Sequence, residues 1–414
     1  MAMTTDSTVH SHQGARAFAR SCRSTAAGSA RFTLPARRRP LVFASSVVVL
    51  LGGCASGRAV TVTATPGPAG SAVTASSAGG RGGGPTARAN SGWRIDAREH
   101  VDLWLHGFAM LQDDPSLVPY FRPGYRSGLL QVRPIGRGQL DINRELLQRR
   151  FAENANLTSS QFLALYFASW DDLRRGVERF LLDEGDVRVA RNQDELRMYA
   201  TIRTYFPTAA DRDWLRLFVQ CLNDERNQFY RAYWIQQEQR RAGVRAAVES
   251  LWSGAYGTAL TRFIRNSMQP YGSILLSLPL GGEGRTLAVG GRDNFVTVAF
   301  PNDGADPLEA LYTIAHEVVG TVATAAVRDH SSAADERSGD AGRWTTLAAV
   351  RGGAMLLARV APDLLAGYER YYLTLARAKV EVGDPTDAFA RTFPLPSSLV
   401  GALERQIEIV MGGI

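Results

Sequence analysis

A histidine and a glutamate stand side by side at His316-Glu317, inside an apolar stretch that runs from Leu311 to Gly320. When a second histidine follows four residues after the first, both lie on one helical face and bind zinc, and the glutamate acts as general base on the metal-bound water. Here Gly320, which has no side chain, stands in the place of that second histidine. The pair therefore predicts either an altered metal site or a site that has lost its metal.

The residues around this pair help to choose between function and coincidence. An isolated His-Glu dipeptide occurs often by chance, and would then have no role. Ile314, Val318 and Val322 make the rest of the predicted helix apolar, however, and a buried carboxylate without a partner is costly. We therefore expect another group to satisfy Glu317.

Short strand-like runs precede the pair and predict a sheet beside its helix. Three runs of apolar and β-branched residues are punctuated by glycines and a proline, and they lie at 273–278, 285–289 and 295–300. The segment Gly281-Gly282-Glu283-Gly284 is typical of a hairpin turn. Asp306-Pro307 then predicts the start of the helix that carries His316 and that extends to about Arg328.

Helical periodicity dominates the rest of the folded body, which begins near Trp93. Apolar residues at helical spacing predict helices at 96–111, 141–154, 158–184, 194–205, 210–240, 242–266, 344–360, 364–380 and 397–411. The predicted fold class is α+β and mainly helical. A helical half (93–268) precedes a half (269–414) in which a small antiparallel sheet packs beside the His-Glu helix and C-terminal helices follow.

Residues 1–53 are typical of an export signal, and residues 54–92 of a disordered tether. Arg37-Arg38-Arg39 precede an apolar run at 41–51 that is too short for an ordinary membrane-spanning helix. The run ends in Leu51-Gly52-Gly53-Cys54, which resembles the bacterial lipobox. That resemblance implies lipidation of Cys54 and anchoring to a bacterial envelope membrane; the alternative is a chance cysteine after an uncleaved segment. The Gly, Ala, Ser, Thr and Pro residues that follow cannot build a core.

The positive charge of the chain is concentrated in the signal region. Residues before Cys54 hold seven arginines and one acid, Asp6, and so carry +6 of the formal net charge of +7. The remainder is nearly neutral, which argues against nucleic acid as a partner. Cys221 is the only cysteine after Cys54 and lies in an apolar helical context. We expect a buried, inert thiol there, with no disulfide in the mature chain.

Strands followed at once by a His-Glu helix resemble the active-site half of zincin metallopeptidases, of the gluzincin type, over roughly residues 271–372. The resemblance implies that His316 is the first zinc ligand and Glu317 the general base. It also implies that a strand at the sheet edge lies along the helix and binds extended peptide. The residues expected to form that edge, because theirs is the last strand before the helix, are Phe295, Val296, Thr297 and Val298.

The chain departs from the gluzincin pattern at two of the three ligand positions. Besides Gly320, the later helix at 344–360 contains no acid where the family has a glutamate, and its only charges are Arg351 and Arg359. An arginine there would repel zinc and could pair with Glu317. Replacement ligands would have to come from more distant residues: His330, Asp335, Glu336, His100 or His106.

Three hypotheses about function follow from these residues. The favoured one is a membrane-anchored envelope lipoprotein with a degenerate, zincin-like peptidase domain that binds peptide or protein and needs no cofactor. The second is an active peptidase with a non-standard ligand set, which requires zinc. The third is a structural envelope lipoprotein without a site. Three tyrosines after the acid-free helix are expected to pack rather than to support an oxyanion: Tyr368, Tyr371 and Tyr372.

Overall fold

A computed structural model describes residues 92–112, 121–133, 138–267, 270–288, 294–378 and 383–412. Helices make up most of these residues, and one small sheet lies among them. The prediction of a mainly helical α+β fold is therefore confirmed. The signal region, Cys54 and the tether up to residue 91 lie outside the described residues.

Three of the helices between residues 99 and 267 begin at a residue whose side chain caps them. Thr208 and Asp211, for example, form a reciprocal capping box at the start of α7. The α-helices of this half are α1 (Glu99–Leu111), α2 (Tyr125–Val132), α3 (Gln139–Ile142), α4 (Arg144–Glu153), α5 (Trp170–Leu182), α6 (Gln193–Tyr205), α7 (Ala209–Glu225), α8 (Arg231–Arg240), α9 (Ala242–Leu251) and α10 (Gly257–Ser267).

One predicted helix, at 158–184, is interrupted. A 3-10 helix at Ala155–Tyr166 comes first, and α5 begins only at Trp170. Ser169 causes the break, because its extended backbone leaves the helix and its hydroxyl accepts the N–H of Asp172 at 3.2 Å. Two π-helical turns, at Arg226–Tyr230 and Trp252–Tyr256, join the neighbouring helices of this half.

The sheet has four strands, β1 (Trp93–Asp96), β2 (Gly272–Ser277), β3 (Arg285–Ala288) and β4 (Asn294–Ala299), in the order β1-β2-β4-β3. β1 pairs with β2 and β2 with β4 in parallel, whereas β3 pairs with β4 antiparallel. The sheet is therefore mixed, not antiparallel as predicted. Residues 281–284 join β2 to β3, which are not neighbours, so this segment is not a hairpin turn. β1 belongs to the predicted helical half (93–268), whereas β2, β3 and β4 belong to the predicted second half (269–414). The two predicted halves therefore share one sheet.

The helix that carries His316, α11 (Leu308–His330), follows β4 and starts as predicted, since a carboxylate oxygen of Asp306 accepts the N–H of Leu308 at 2.9 Å. α11 is long and apolar enough to cross a membrane, but 78% of its apolar window is buried within the protein, as in a core helix. The helices after it are α12 (Ala333–Ser338), α13 (Asp340–Val360), α14 (Leu365–Leu375), α15 (Thr386–Thr392) and α16 (Ser397–Gly412).

The two faces of the sheet have different neighbours. α11 packs against β4 on one face, and the hydroxyl of Thr286 in β3 donates to the backbone oxygen of Glu317 there at 3.0 Å. On the other face, α1 places the buried carboxylate of Asp102 2.5 Å from the hydroxyl of Ser277 in β2. Because side chains alternate along a strand, Arg285 and Leu287 of β3 point to this second face, together with Phe295 of β4.

Candidate functional site

His316 and Glu317 lie in the middle of α11 and contact each other through their side chains. His316 Nδ1 is 3.0 Å from Glu317 Oε1, and the two residues are 6% and 9% exposed. The backbone N–H of Gly284 donates to the same carboxylate oxygen at 2.7 Å. Glu317 therefore has the partners that its burial demands, and one of them comes from the segment that leads into β3.

The approach of this segment to α11 requires glycine at position 284. A Cβ atom built there would lie 1.8 Å from the backbone oxygen of Thr297 in β4. The glycine lets the chain pass over β4 closely enough for its N–H to reach Glu317, and the hydroxyl of Thr286 adds a second contact two residues later. Glu317 thus fixes the start of β3 from both its side chain and its backbone.

The electrostatics of the pair involve a third ionisable group, Glu283. Burial alone would lower the pKa of His316, but the hydrogen bond and charge of Glu317, together with the charge of Glu283, raise it above its ordinary value. Burial also raises the pKa of the Glu283 carboxyl, against the opposing effect of His316. Sequence reasoning did not select Glu283; an acid among three glycines was the signal available.

Tyr372, from α14, covers the face of the His316 ring. The two ring centroids are 5.4 Å apart and the rings are nearly parallel, with 26° between their planes. The Tyr372 hydroxyl donates to the backbone oxygen of Gly282 at 3.0 Å, and burial raises its pKa well above 10. Tyr368 is equally buried and donates to Val350 at 2.8 Å. The prediction that these two tyrosines pack is confirmed, and their hydroxyls are already used.

The side chains around His316 do not fit a catalytic zinc site. Such a site needs three protein ligands with an open fourth position. His316 Nδ1 is turned to Glu317, and Nε2 is buried without a hydrogen-bond partner in the described part of the chain. Gly320 supplies no ligand, and the described residues hold no group of three His, Cys, Asp or Glu side chains arranged for a metal. Among the described residues, Glu283 is the one carboxylate besides Glu317 whose charge raises the pKa of His316, which leaves the donor set incomplete.

The charges of α13 do not compensate for the missing ligands. Arg351 lies over the ring of Phe389, 5.8 Å from its centroid, and Arg359 pairs with Glu408 at 2.8 Å. The suggestion that Arg351 pairs with Glu317 is therefore wrong, because Glu317 is satisfied by Gly284 and His316 instead.

Four of the five replacement ligands considered from the sequence have other partners. His330 bonds to the backbone of Ala326 at the end of α11, and Asp335 caps α12. His100 bonds to the backbone oxygen of Phe167, and His106 lies between Glu225 and Tyr125. Glu336 is exposed in the first turn of α12.

The predicted substrate edge, Phe295, Val296, Thr297 and Val298, is wrong. These residues belong to β4, which is paired on both sides, with β2 and with β3. The chain crosses from β2 to the outer position first and returns to the centre afterwards, so the last strand before α11 is internal. Among the described strands, the antiparallel edge beside α11 is β3, whose residues are half-buried or exposed.

Cys221 has the properties predicted for it. It is fully buried, its Sγ lies 3.4 Å from the backbone oxygen of Gln139, and burial raises the pKa of the thiol to about 11. A thiol of this kind is a poor nucleophile.

Comparison of the whole chain with protein-family models, with curated proteins and with solved structures finds no match.

Proposed function

We propose that this chain is an exported, lipid-anchored module with a zincin-like but degenerate peptidase domain, and that it binds extended peptide by adding it as a strand to β3. Strand addition uses main-chain hydrogen bonds for affinity and therefore accepts many sequences. No chemistry on the peptide is part of this function.

The observation that carries the proposal is an antiparallel edge strand held against the His-Glu helix. β3 ends the sheet among the described strands, and Glu317 anchors its start through Gly284 and Thr286. An unpaired edge normally needs protection against other chains. An edge that is fixed in place and left half-exposed is instead suited to receive a partner strand.

The state of the His-Glu pair supports binding without hydrolysis. A general base must be free to reach a water molecule, whereas Glu317 accepts a buried backbone N–H and the His316 ring is covered by Tyr372. The same side chains that would activate water in a peptidase here position the binding strand.

A peptide selection followed by backbone methylation tests the proposal. Peptides would be selected from a random display library on the purified full chain, and the best binder would be resynthesised with one N-methylated amide at a time. In an antiparallel pair the N–H groups of alternate residues face the partner strand. We expect methylation to abolish binding at every second residue and to leave it unchanged between.

Other outcomes favour the other two hypotheses. Zinc-dependent cleavage of the selected peptides would establish an active peptidase. Failure of the selection to yield any binder would favour a structural lipoprotein. A methylation pattern without the period of two would exclude strand addition.

The membrane location rests on the lipobox-like segment ending at Cys54. We expect the full chain to incorporate labelled palmitate when it is produced in a bacterial host, and the Cys54→Ala variant to lose the label. Cys22→Ala is the matched control, because Cys22 precedes the expected cleavage site. Unchanged labelling of Cys54→Ala would contradict the anchor.

A further inference from the structure

A cleft of about 500 Å³ opens on the face of the sheet opposite α11, and the described function does not use it. Its lining includes Arg98 at the start of α1, Tyr166 and Phe167 at the end of the 3-10 helix, and Phe295 of β4. Arg285 and Leu287 of β3 point to the same face as Phe295. A peptide strand beside β3 would direct every second side chain toward this face.

Arg98 brings a guanidinium group to the cleft. The guanidinium of Arg98 lies 4.7 Å above the centre of the Phe295 ring. Asp96 is 3.6 Å from Arg98, beyond hydrogen-bond distance, and the nearby Arg245 has closer partners in Glu238 at 3.1 Å and Glu249 at 2.9 Å. A charge balanced only in part can attract a further carboxylate.

Arg285 joins the cleft to the edge strand. Its guanidinium is 5.9 Å from the centre of the Phe162 ring, on the same 3-10 helix as Tyr166. Burial raises the pKa of Tyr166 to about 12, and the charge of Arg285 opposes that rise. Within the described ranges no carboxylate forms an ion pair with Arg285. The Tyr166 hydroxyl stays protonated at neutral pH.

The remaining ionisable group of the lining adds no negative charge. His100 donates from Nε2 to the backbone oxygen of Phe167 at 2.9 Å, and burial lowers its pKa. Glu99, its neighbour in the sequence, is paired with Arg226 at 2.8 Å. The cleft thus combines cationic groups, a phenol and aromatic walls.

We propose that this cleft selects an acidic side chain of the bound peptide, with Arg285 and Arg98 recognising its carboxylate. The inference rests on strand addition to β3 as the proposed function, and it names the class of peptide: extended segments with a Glu or Asp on the side that faces away from α11. In strand addition, pockets for alternate side chains supply the specificity that the main-chain bonds lack.

The test uses short synthetic peptides of alternating threonine and valine, each with one Glu moved along the sequence, and the same set with Gln. Affinity would be measured by fluorescence polarisation on the full chain. We expect Glu to be preferred over Gln by about tenfold at alternate positions only, as for one charge-assisted contact. Added salt should weaken the preference.

Variants assign the preference to the cleft. Arg285→Gln and Arg98→Gln should each bring the ratio of Glu-peptide to Gln-peptide affinity close to one, while Arg98→Lys should retain the preference. Arg94→Gln is the matched control, because Arg94 is exposed on the same face but lies in β1, which β2 and β4 separate from β3. Thermal unfolding would confirm that each variant is folded.

The possible results distinguish failure of the acidic cleft from failure of strand addition to β3. Peptides that bind with the methylation period of two but show equal affinity for Glu and Gln would overturn the acidic cleft alone. A preference that persists in both Arg285→Gln and Arg98→Gln would do the same. Peptides that fail to bind at all would overturn strand addition and the acidic cleft together.

Discussion

Replacing Glu317 by glutamine distinguishes a positioning carboxylate from a catalytic one. In a metallopeptidase this change removes the general base and leaves stability nearly intact. Here the carboxylate accepts hydrogen bonds from the Gly284 N–H and from His316, both buried. Hydrogen bonds to a charged group contribute about 1.5–3 kcal/mol each. We expect Glu317→Gln, which keeps one acceptor oxygen, to lose about 1–2 kcal/mol of unfolding free energy. Glu317→Ala, which leaves both donors without an acceptor, should lose about 2–5 kcal/mol.

The loss of unfolding free energy in Glu317→Gln should depend on pH in a defined direction. The pKa of His316 is raised above its ordinary 6.5, chiefly by Glu317 once burial is offset. A raised folded-state pKa contributes stability that is complete below 6.5 and disappears as the pH rises through the folded-state value. Without the carboxylate charge this contribution is lost. The difference in unfolding free energy between wild type and Glu317→Gln should therefore be largest just below neutral pH and become smaller in alkaline solution.

Urea unfolding of the full chain, followed by tryptophan fluorescence at a series of pH values, measures both effects. Glu404→Gln is the matched control, since Glu404 is exposed on α16, and it should change stability by less than about 0.5 kcal/mol. A Glu317→Gln variant as stable as wild type at every pH would refute the positioning role of this carboxylate.

Two further predictions concern residues with different roles. Gly320→Ala should raise the unfolding free energy by about 0.5–1 kcal/mol, because a Cβ atom there meets nothing within 4 Å and alanine favours the helix; a destabilised variant in urea unfolding would show a packing role for the glycine. Asp102, whose pKa burial raises from 3.8 to about 7, contributes stability that is complete below 3.8 and lost as the pH rises through about 7. At 1.36 kcal/mol per unit of pKa this amounts to about 4 kcal/mol. Asp102→Asn should therefore make the unfolding free energy nearly independent of pH between about pH 4 and pH 7, as measured by urea unfolding. A pH dependence equal to that of wild type would contradict the effect of burial.

Features of the fold that depend on neighbours in the sequence were predictable. Asp306-Pro307 marks the start of α11 because a carboxylate two residues ahead can accept the first helical N–H. The runs that became β2, β3 and β4 were recognisable by their apolar and β-branched residues between glycines. The burial of Cys221 followed from the apolar helical residues around it.

Features that depend on distant residues were not predictable in the same way. Nothing in Trp93–Asp96 indicates that its partner is Gly272–Ser277, across the whole helical half. The order of β3 and β4 in the sheet likewise reverses their order in the chain, which moved the open edge from Phe295 to Arg285. Strand neighbours are chosen by tertiary packing, and sequence order constrains them weakly.

The residues of the candidate site that are neighbours in the sequence were predictable, and their distant partners were not. His316 and Glu317 were visible as an ionisable pair in an apolar helix, and the need for a partner to Glu317 followed from the cost of burying a charge. The partner itself, a backbone N–H at Gly284, has no side chain to reveal it. The stacking of Tyr372 on His316 joins residues 56 positions apart, and only the packing of α14 on α11 brings them together.

Amide hydrogen exchange with and without a selected peptide tests strand addition most directly. We predict that the peptide slows exchange at the amides of β3 that point away from β4, with the exchange at β1, the other edge strand, unchanged, and that zinc and chelators make no difference. Protection confined to other surfaces, or cleavage of the peptide on addition of zinc, would contradict a binding module built on β3.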